Sequence, residues 1–569
     1  MDNREDLASI LPFLPVLLRS SSLSWPPQVV EALKALSSGP HHSSIDSGVL
    51  LFLAISDIRS SLSLSSQRLA SSAADGYALF FDDLMSRDEA KRWFADVIPA
   101  MANLLLQLPS LLEAHYQSAD SLLNGVQTGL RLLNSQQAGI VFLSQELIGA
   151  LLACSFFCLF PISNRGAKHL PKINFDHLFA SLYDSYDEKQ ENKIKCIIHY
   201  FKRICLCMPM FYVSFERKVL PLEHGPLGVS YPKADFWSKS VVPLCRFEVF
   251  RLGLLEDQAS EALEVDFANK YIGGGALHRG CVQEEIRFMI NPELIVGMLF
   301  LPSMEDNEAI EIFGAERFSN YTGYASSFRF SGDHVDNREV DSMGRRKTRI
   351  IAIDALSSPR QRQYGLECLL REINKAFCGF SDLSKFHRRQ KLFENDGCCS
   401  TQVDQDLGGP NCISTDYLLV GVPFYFDYFH DALSSSMETK EGISGSQRIR
   451  NPEKDSRYLV CQDDIGIVTG NWGCGAFGGD PELKSIIQWL AASQALRPFI
   501  SYFTFGEAAL QTLDQVSRWI LLHEWTVGEL WNMLVEYSSQ RLKGKTNLGF
   551  FTWLLPTHTA YDSQMCDIR

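Results

Sequence analysis

The chain has 569 residues, with 46% hydrophobic, 11% aromatic and 21% charged side chains, which excludes wholesale disorder and fibrous architecture. At about 100–200 residues per domain, the length suits two to four domains around cores that need no disulfide staples. Lys and Arg total 53 against 67 Asp and Glu, a formal net charge of −14, so an anionic partner must be bound at a local site and not by a diffuse basic field.

In chain order, the N-terminus MDNREDLASILPFLPVLLRS opens acidic. It has neither the basic start of a signal peptide nor the Arg-rich character of a transit peptide. Residues 1–215 read as mostly helical, with a Ser-rich, partly looped stretch at 36–72. Ser86 and Glu89 form a capping box ahead of Trp93, Phe94, Val97, Ile98 and Met101 at helical spacing. Ser144 is a candidate N-cap for a second helix through Leu147, Leu151, Leu152 and Phe156. The longest apolar run, Ile148–Pro161, is too short to cross a bilayer and suits a buried helix. A soluble protein is expected.

From about residue 225 the pattern changes. Strands are predicted at Leu263–Ala268, Ala309–Phe313, Arg349–Ile353, Ile465–Thr469 and Phe499–Thr504, with helices at Pro481–Ala495 and Val527–Leu542. Strands alternating with helices predict an α/β domain on one sheet. Residues 381–455 read as a long polar insertion, expected to be largely mobile, broken by an unexplained aromatic run at Tyr417–Phe429. The predicted organisation is a helical domain at 1–224 and an α/β domain at 225–569. The fifteen cysteines are irregularly spaced; Cys398-Cys399 are adjacent, and Cys205-Leu206-Cys207 is too tight for a zinc knuckle. Reduced thiols in a nucleocytoplasmic protein are expected, without a structural metal.

Two glycine clusters carry the chemistry. The first runs Val265-Asp266-Phe267-Ala268-Asn269, then Gly273-Gly274-Gly275, then Gln283-Glu284-Glu285. A triple glycine lets a ligand approach the backbone closely. Adjacent helical positions point about 100° apart, so Glu284 and Glu285 cannot share one task. Taken alone, the triple glycine or the paired Glu favours a Gly-rich turn followed by a solvated helix start. The second runs Thr469-Gly470-Asn471-Trp472-Gly473-Cys474-Gly475-Ala476-Phe477-Gly478-Gly479-Asp480-Pro481. Strand, glycine loop and helix start present N–H groups to phosphate. Asp480, at the N-cap, would repel a phosphate on the helix axis, which shifts the expected phosphate position to the amides of Gly475–Gly478. Tyr324 and Phe505 lie where they could stack on a purine. His278, in the spacer, reads as a rim residue. The patch Gly344–Arg349 reads as a nuclear localisation signal or, at least equally, as a solvated strand start.

The run GGG-x7-QEE, preceded by VDFAN and followed by IRFMINPEL, resembles the signature of poly(ADP-ribose) glycohydrolases. TGNWGCGAFGGD, YTGYA and YFTFG resemble that family's other blocks in the same order, and the stretch Phe156–Pro161 resembles its helical domain. The layout is similar to the plant type. The resemblance covers most of 85–380 and 460–535; the insertion is unmatched.

The resemblance implies an α/β fold of macrodomain type, a mixed sheet between helices, with an N-terminal all-helical accessory domain. It implies hydrolysis of the ribose–ribose O-glycosidic bonds of poly(ADP-ribose), mainly from chain ends. Glu285 is then the catalytic carboxyl, acid first and base second; Glu284 holds ribose hydroxyls, and Asp266 is a third acid tied to activity. Asn269 and Gln283 line the site with Gly273, Gly274 and Gly275. Glu256 meets the adenine edge, Tyr324 and Phe505 the adenosine part, and Gly475, Ala476, Phe477 and Gly478 the diphosphate, with Asn471 beside them. A Glu that gives up a proton at neutral pH needs a raised pKa, which burial and a neighbouring acid can supply. No cofactor and no metal are implied. The expected partners are poly(ADP-ribose) and proteins bearing it, without duplex nucleic acid or membrane. A monomer in nucleus and cytoplasm is expected, with a place in the response to DNA damage. The competing reading is a macrodomain that binds ADP-ribose without cleaving it; such a reader has no need of the QEE acid. A third is a scaffold whose groove the insertion obstructs.

Overall fold

The computed structural model describes residues 3–123, 125–222, 231–258, 261–382 and 465–555. The insertion expected at 381–455 lies, from residue 383 onward and with its aromatic run, outside the described residues.

An eight-stranded mixed sheet organises the molecule. Its strands in chain order are β1 (Gly139–Ser144), β2 (Tyr212–Val219), β3 (Arg246–Phe250), β4 (Ala262–Ala268), β5 (Glu308–Phe313), β6 (Arg349–Asp354), β7 (Gly466–Gly470) and β8 (Phe499–Phe503). The spatial order is β1-β2-β5-β6-β4-β7-β8-β3. The strands β6, β4, β7, β8 and β3 run parallel, whereas β5, β2 and β1 join by antiparallel pairings. All five strands predicted from the sequence are present.

The described residues before 224 are mostly helical and also supply β1 and β2. β2 escapes a hydropathy reading because it carries Glu216, Arg217 and Lys218, of which the two cations are buried. Each has a partner: Arg217 pairs with Glu308 and donates to the Leu133 and Pro302 carbonyls, and Lys218 pairs with Glu311 at 3.1 Å. Buried charges are tolerated when paired and hydrogen-bonded in this way.

Helices cover both faces. Those used below are α1 (Ile98–Leu122), α2 (Gln145–Phe156), α3 (Glu188–Leu206), α4 (Gln283–Ile290), α5 (Leu366–Phe380), α6 (Pro481–Gln494) and α7 (Val527–Leu542). The caps expected at Ser86 and Ser144 form, each hydroxyl accepting the N–H three residues on. Among the described residues, one helical stretch, Arg87–Leu122, is long and apolar enough to cross a membrane, and half of its most apolar part is buried in the core. The apolar run from Ile148 begins in α2, which is buried apart from Glu146, and continues past its end.

Strand alternation divides the core. On β6, Ile350 and Ala352 pack with the helical half, while Ile351 and Ile353 pack on the other face with α5, α6 and α7. On β4, Leu263 and Val265 take the second face, leaving Glu264, Asp266 and Ala268 on the first. All ten cysteines among the described residues are free. The cations of the Gly344–Arg349 patch are absorbed in ion pairs: Arg345 with Asp341, Arg346 with Glu316, Lys347 with Glu261 and Glu339, and Arg349 with Glu261 and Glu311.

Candidate active site

Parallel β4 and β7 are neighbours in the sheet, paired through Leu263 and Ile467. Their carboxyl ends therefore lie at one edge, and the chain leaves both through glycine turns. Ligands of α/β sheets bind outside such strand ends. A cleft of about 550 Å³ opens there, lined by Glu256, Ala268, Gln283, Tyr324, Asn471, Gly475, Ala476, Phe477 and Phe505 among others.

The first turn is built around two carboxyls at the start of α4. Glu284 accepts N–H bonds from Asn269 (2.9 Å) and Gly273 (2.6 Å). Glu285 accepts from Gly275 (2.9 Å) and reaches back to the N–H of Val282 (2.8 Å). The side chains thus bind different parts of one turn, as their angular separation on a helix requires. Gly274 has φ +47°, and a Cβ there would stand 2.5 Å from Glu284 Oε2 and 2.8 Å from Glu285 Oε1. Glycine is needed for space as well as for the left-handed backbone. Gln283 fastens α4 to the sheet, its side-chain oxygen accepting from Phe267 N–H (2.8 Å) and its amide donating to the Val265 carbonyl.

Asp266 lies beneath, on β4. Its carboxyl oxygens have no hydrogen-bond partner among the described residues, and burial raises its pKa to about 7, against the pull of Arg287 and with a push from Glu285. Burial raises Glu284 well above the ordinary carboxyl range, with the charges of Asp266 and Glu285 adding to it. Asp266 and Glu284, buried this closely, cannot both ionise freely. Asp266, Glu284 and Glu285 do not themselves line the cleft; they stand behind it, and Glu285 keeps the most exposure of the three at 7%. Tyr324 brings its hydroxyl to the same place: burial raises its pKa, the Gln283 N–H lowers it and the Glu285 charge raises it.

The second turn is held from below. Trp472 is buried and donates to the Ile353 carbonyl (2.8 Å). Asn471 donates to the Thr504 carbonyl (3.0 Å) and accepts from the Tyr502 hydroxyl (3.2 Å). Asp480 accepts from the N–H groups of Glu482 (2.9 Å) and Leu483 (3.3 Å) and from the Tyr364 hydroxyl (2.7 Å). Its charge is committed to capping α6. Within the loop the Cys474, Gly478 and Gly479 N–H groups donate to the Asn471, Gly475 and Gly473 carbonyls, while Gly475, Ala476 and Phe477 line the cleft. Gly475 has open space at its Cβ position. Gly478 follows in the loop but does not itself line the cleft.

At the mouth, Tyr324 and Phe505 are 55% and 45% exposed, and Phe505 adopts φ +49°, a backbone state of the kind held at ligand sites. Glu256 accepts from the Tyr321 hydroxyl (2.7 Å) and lies 4.0 Å from Arg287, which pairs with Glu264 at 2.6 Å. His278 is exposed on the spacer turn, its ring 5.5 Å from that of His177.

Sequence reasoning missed Tyr321, Arg287 and Lys193. Tyr321 opens the YTGYA block and Arg287 stands three residues after Glu284 on the same helix face, so both could have been found. Lys193, from α3, donates to the carbonyls of the spacer turn, and no sequence pattern announces it.

The mixed sheet flanked by helices defines the class: a macrodomain-type α/β fold joined to a helical domain. Residues 234–512 match a family model described as poly(ADP-ribose) glycohydrolase, macro domain fold, and residues 85–217 match the helical domain of the same family. The chain is 60% identical over 557 residues to poly(ADP-ribose) glycohydrolase 1 of Arabidopsis thaliana, covering 98% of each. It is 53% identical over 558 residues to probable poly(ADP-ribose) glycohydrolase 2 of the same plant, covering 98% of this chain and 99% of the relative. Poly(ADP-ribose) glycohydrolase 1 of Caenorhabditis elegans is 29% identical over 353 residues, 60% of this chain and 35% of the relative. The chain belongs to the poly(ADP-ribose) glycohydrolase family.

Proposed function

We propose that this chain hydrolyses the ribose–ribose O-glycosidic bonds of poly(ADP-ribose), releasing ADP-ribose mainly from chain ends, with Glu285 as the proton carrier. Glu285 protonates the departing ribose oxygen as the bond to the anomeric carbon breaks. It then takes a proton from the water that adds to that carbon, which returns it to its starting state. Cleavage at an anomeric carbon passes through an oxocarbenium-like transition state and needs such an acid for the leaving oxygen. The substrate's own diphosphate, seated on the amides of Gly475–Gly478, places negative charge near the developing cation.

The observation that carries the reading is the juxtaposition of the two glycine turns on neighbouring parallel strands, with the Glu285 carboxyl fixed by two N–H donors beside the cleft. Glu284 uses two of a carboxylate's roughly four lone-pair sites on the turn, and the others remain for ribose hydroxyls. Asp266 supports the pair from beneath. Glu256 takes the adenine edge, its orientation fixed by Tyr321, and Tyr324 and Phe505 flank the adenosine. Proteins bearing poly(ADP-ribose), in nucleus and cytosol and in the response to DNA damage, are the proposed context, with the chain acting as a monomer.

The test is ADP-ribose release from purified polymer by wild type and by Glu285→Gln, with ADP-ribose binding measured beside it. Loss of turnover with binding retained is expected. Undiminished cleavage by the variant would remove Glu285 from the mechanism, and binding without turnover in the wild type would favour a reader.

A further inference from the structure

Lys193 belongs to the helical half of the chain, yet its ammonium serves the catalytic turn. The residue stands in α3 and is fully buried. Its Nζ donates to the carbonyls of Gly280 (2.6 Å), His278 (2.7 Å) and Gly275 (3.4 Å). An ammonium has three protons to donate, and all three go to one six-residue turn. That turn gives the Gly275 N–H to Glu285, and it presses Gly280 so closely that a Cβ there would stand 2.6 Å from the Glu285 carboxyl carbon. A buried cation is costly unless hydrogen-bonded. Among the described residues no carboxylate lies within ion-pair distance of Lys193; its hydrogen-bond partners are the three carbonyl oxygens.

We infer that Lys193 is a positioning residue for hydrolysis: it clamps the 275–280 turn so that the Gly275 N–H and the Gly280 backbone hold the Glu285 carboxyl in its working orientation. Lys193 does not line the cleft, so it acts through the turn and not on substrate. The preceding residue extends the role of α3, since Asn192 accepts from the Phe330 N–H (3.0 Å) on the hairpin that carries Tyr321 and Tyr324. The helical half thereby fixes two walls of the site. The inference rests on Glu285 as proton carrier.

Burial lowers the Lys193 pKa to about 8; Cys281, Glu285 and Asp187 raise it, and Lys189 lowers it. The clamp is therefore charged and complete below about pH 8 and weakens above it.

The test compares wild type, Lys193→Met, Lys193→Arg and Glu285→Gln in steady-state cleavage of purified polymer from neutral to alkaline pH, with ADP-ribose binding by calorimetry. Lys193→Met is expected to lower kcat roughly tenfold or more, as displacement of a positioned group does, with KM and ADP-ribose affinity within about twofold. Wild-type kcat is expected to fall through an ionisation near 8. That limb should vanish in Lys193→Met and move to higher pH in Lys193→Arg, which should regain part of the lost rate. A folded Lys193→Met with wild-type kcat, or one losing kcat and affinity in parallel, overturns the inference. Should the Met variant fail to fold, an alkaline limb unmoved by Lys193→Arg overturns it. Retained turnover in Glu285→Gln would instead overturn the underlying reading of the site.

Discussion

Gly274→Ala isolates the close packing on which the carboxyl pair depends. The new Cβ would lie 2.5 Å from Glu284 Oε2 and 2.8 Å from Glu285 Oε1, where contacts under 3.0 Å force a shift, and the backbone would have to stay at φ +47°. Left-handed backbone costs an L residue roughly 1–2 kcal/mol. To reach 3.0 Å the Glu284 carboxyl must move by about 0.5 Å and the Glu285 carboxyl by about 0.2 Å, yet each is tethered by two N–H bonds of 2.6–2.9 Å. Losing one such bond costs about 1–3 kcal/mol, depending on the charge of its acceptor. The sum is roughly 2–5 kcal/mol, within the total stability of most folds, so part of the protein survives for assay. A misplacement approaching 1 Å lowers turnover about 100-fold. Urea unfolding and initial rates of ADP-ribose release measure the two effects. A variant with wild-type stability and kcat would refute the claim that Gly274 leaves room for the carboxyl pair.

Gly475→Ala is the complementary perturbation: with a negative φ and open space at its Cβ, it should leave the melting temperature unchanged while raising KM and weakening ADP-ribose binding, and unaltered binding would move the diphosphate elsewhere. Asp266→Asn should remove a pH-dependent liability. The folded pKa is raised to about 7 from about 3.9 in an unfolded chain, so stability is fully present below about pH 4 and is lost as pH rises towards 7. The variant should gain stability relative to wild type at neutral pH and not in acid, and parallel stability curves would contradict the assigned burial. Arg217→Met breaks a fully buried pair with Glu308 and frees the Leu133 and Pro302 carbonyls. It should cost about 3–5 kcal/mol, read as a loss of melting temperature, and a shift of only a degree or two would count against the pair as an anchor of β2.

Much of the site was legible because glycine, cap and acid signals are local. The triple glycine, the QEE start and the DPE helix start each declare themselves within a few residues. What stayed hidden depends on distant partners. β2 reads as charged until Glu308 and Glu311 are placed beside it. Arg246–Phe250 interleaves Arg246 and Glu248 with its apolar residues and takes its strand pairing from β8. Lys193 lies on a helix of alternating charge and looks solvated, and only tertiary contact reveals that its ammonium is buried against a turn 82 residues further on. The Asp480 reading shows the opposite case. The N-cap expected from the local sequence forms at Asp480, and the residue lies outside the cleft lining.

The most direct test is a crystal structure of Glu285→Gln with ADP-ribose bound. The account predicts the diphosphate against the backbone amides of 475–478, adenine beside Glu256, and the anomeric carbon of the distal ribose about 3–4 Å from the residue 285 side chain, the range of a near-attack contact. A diphosphate bound away from that loop, or a distal ribose turned from α4, would contradict it.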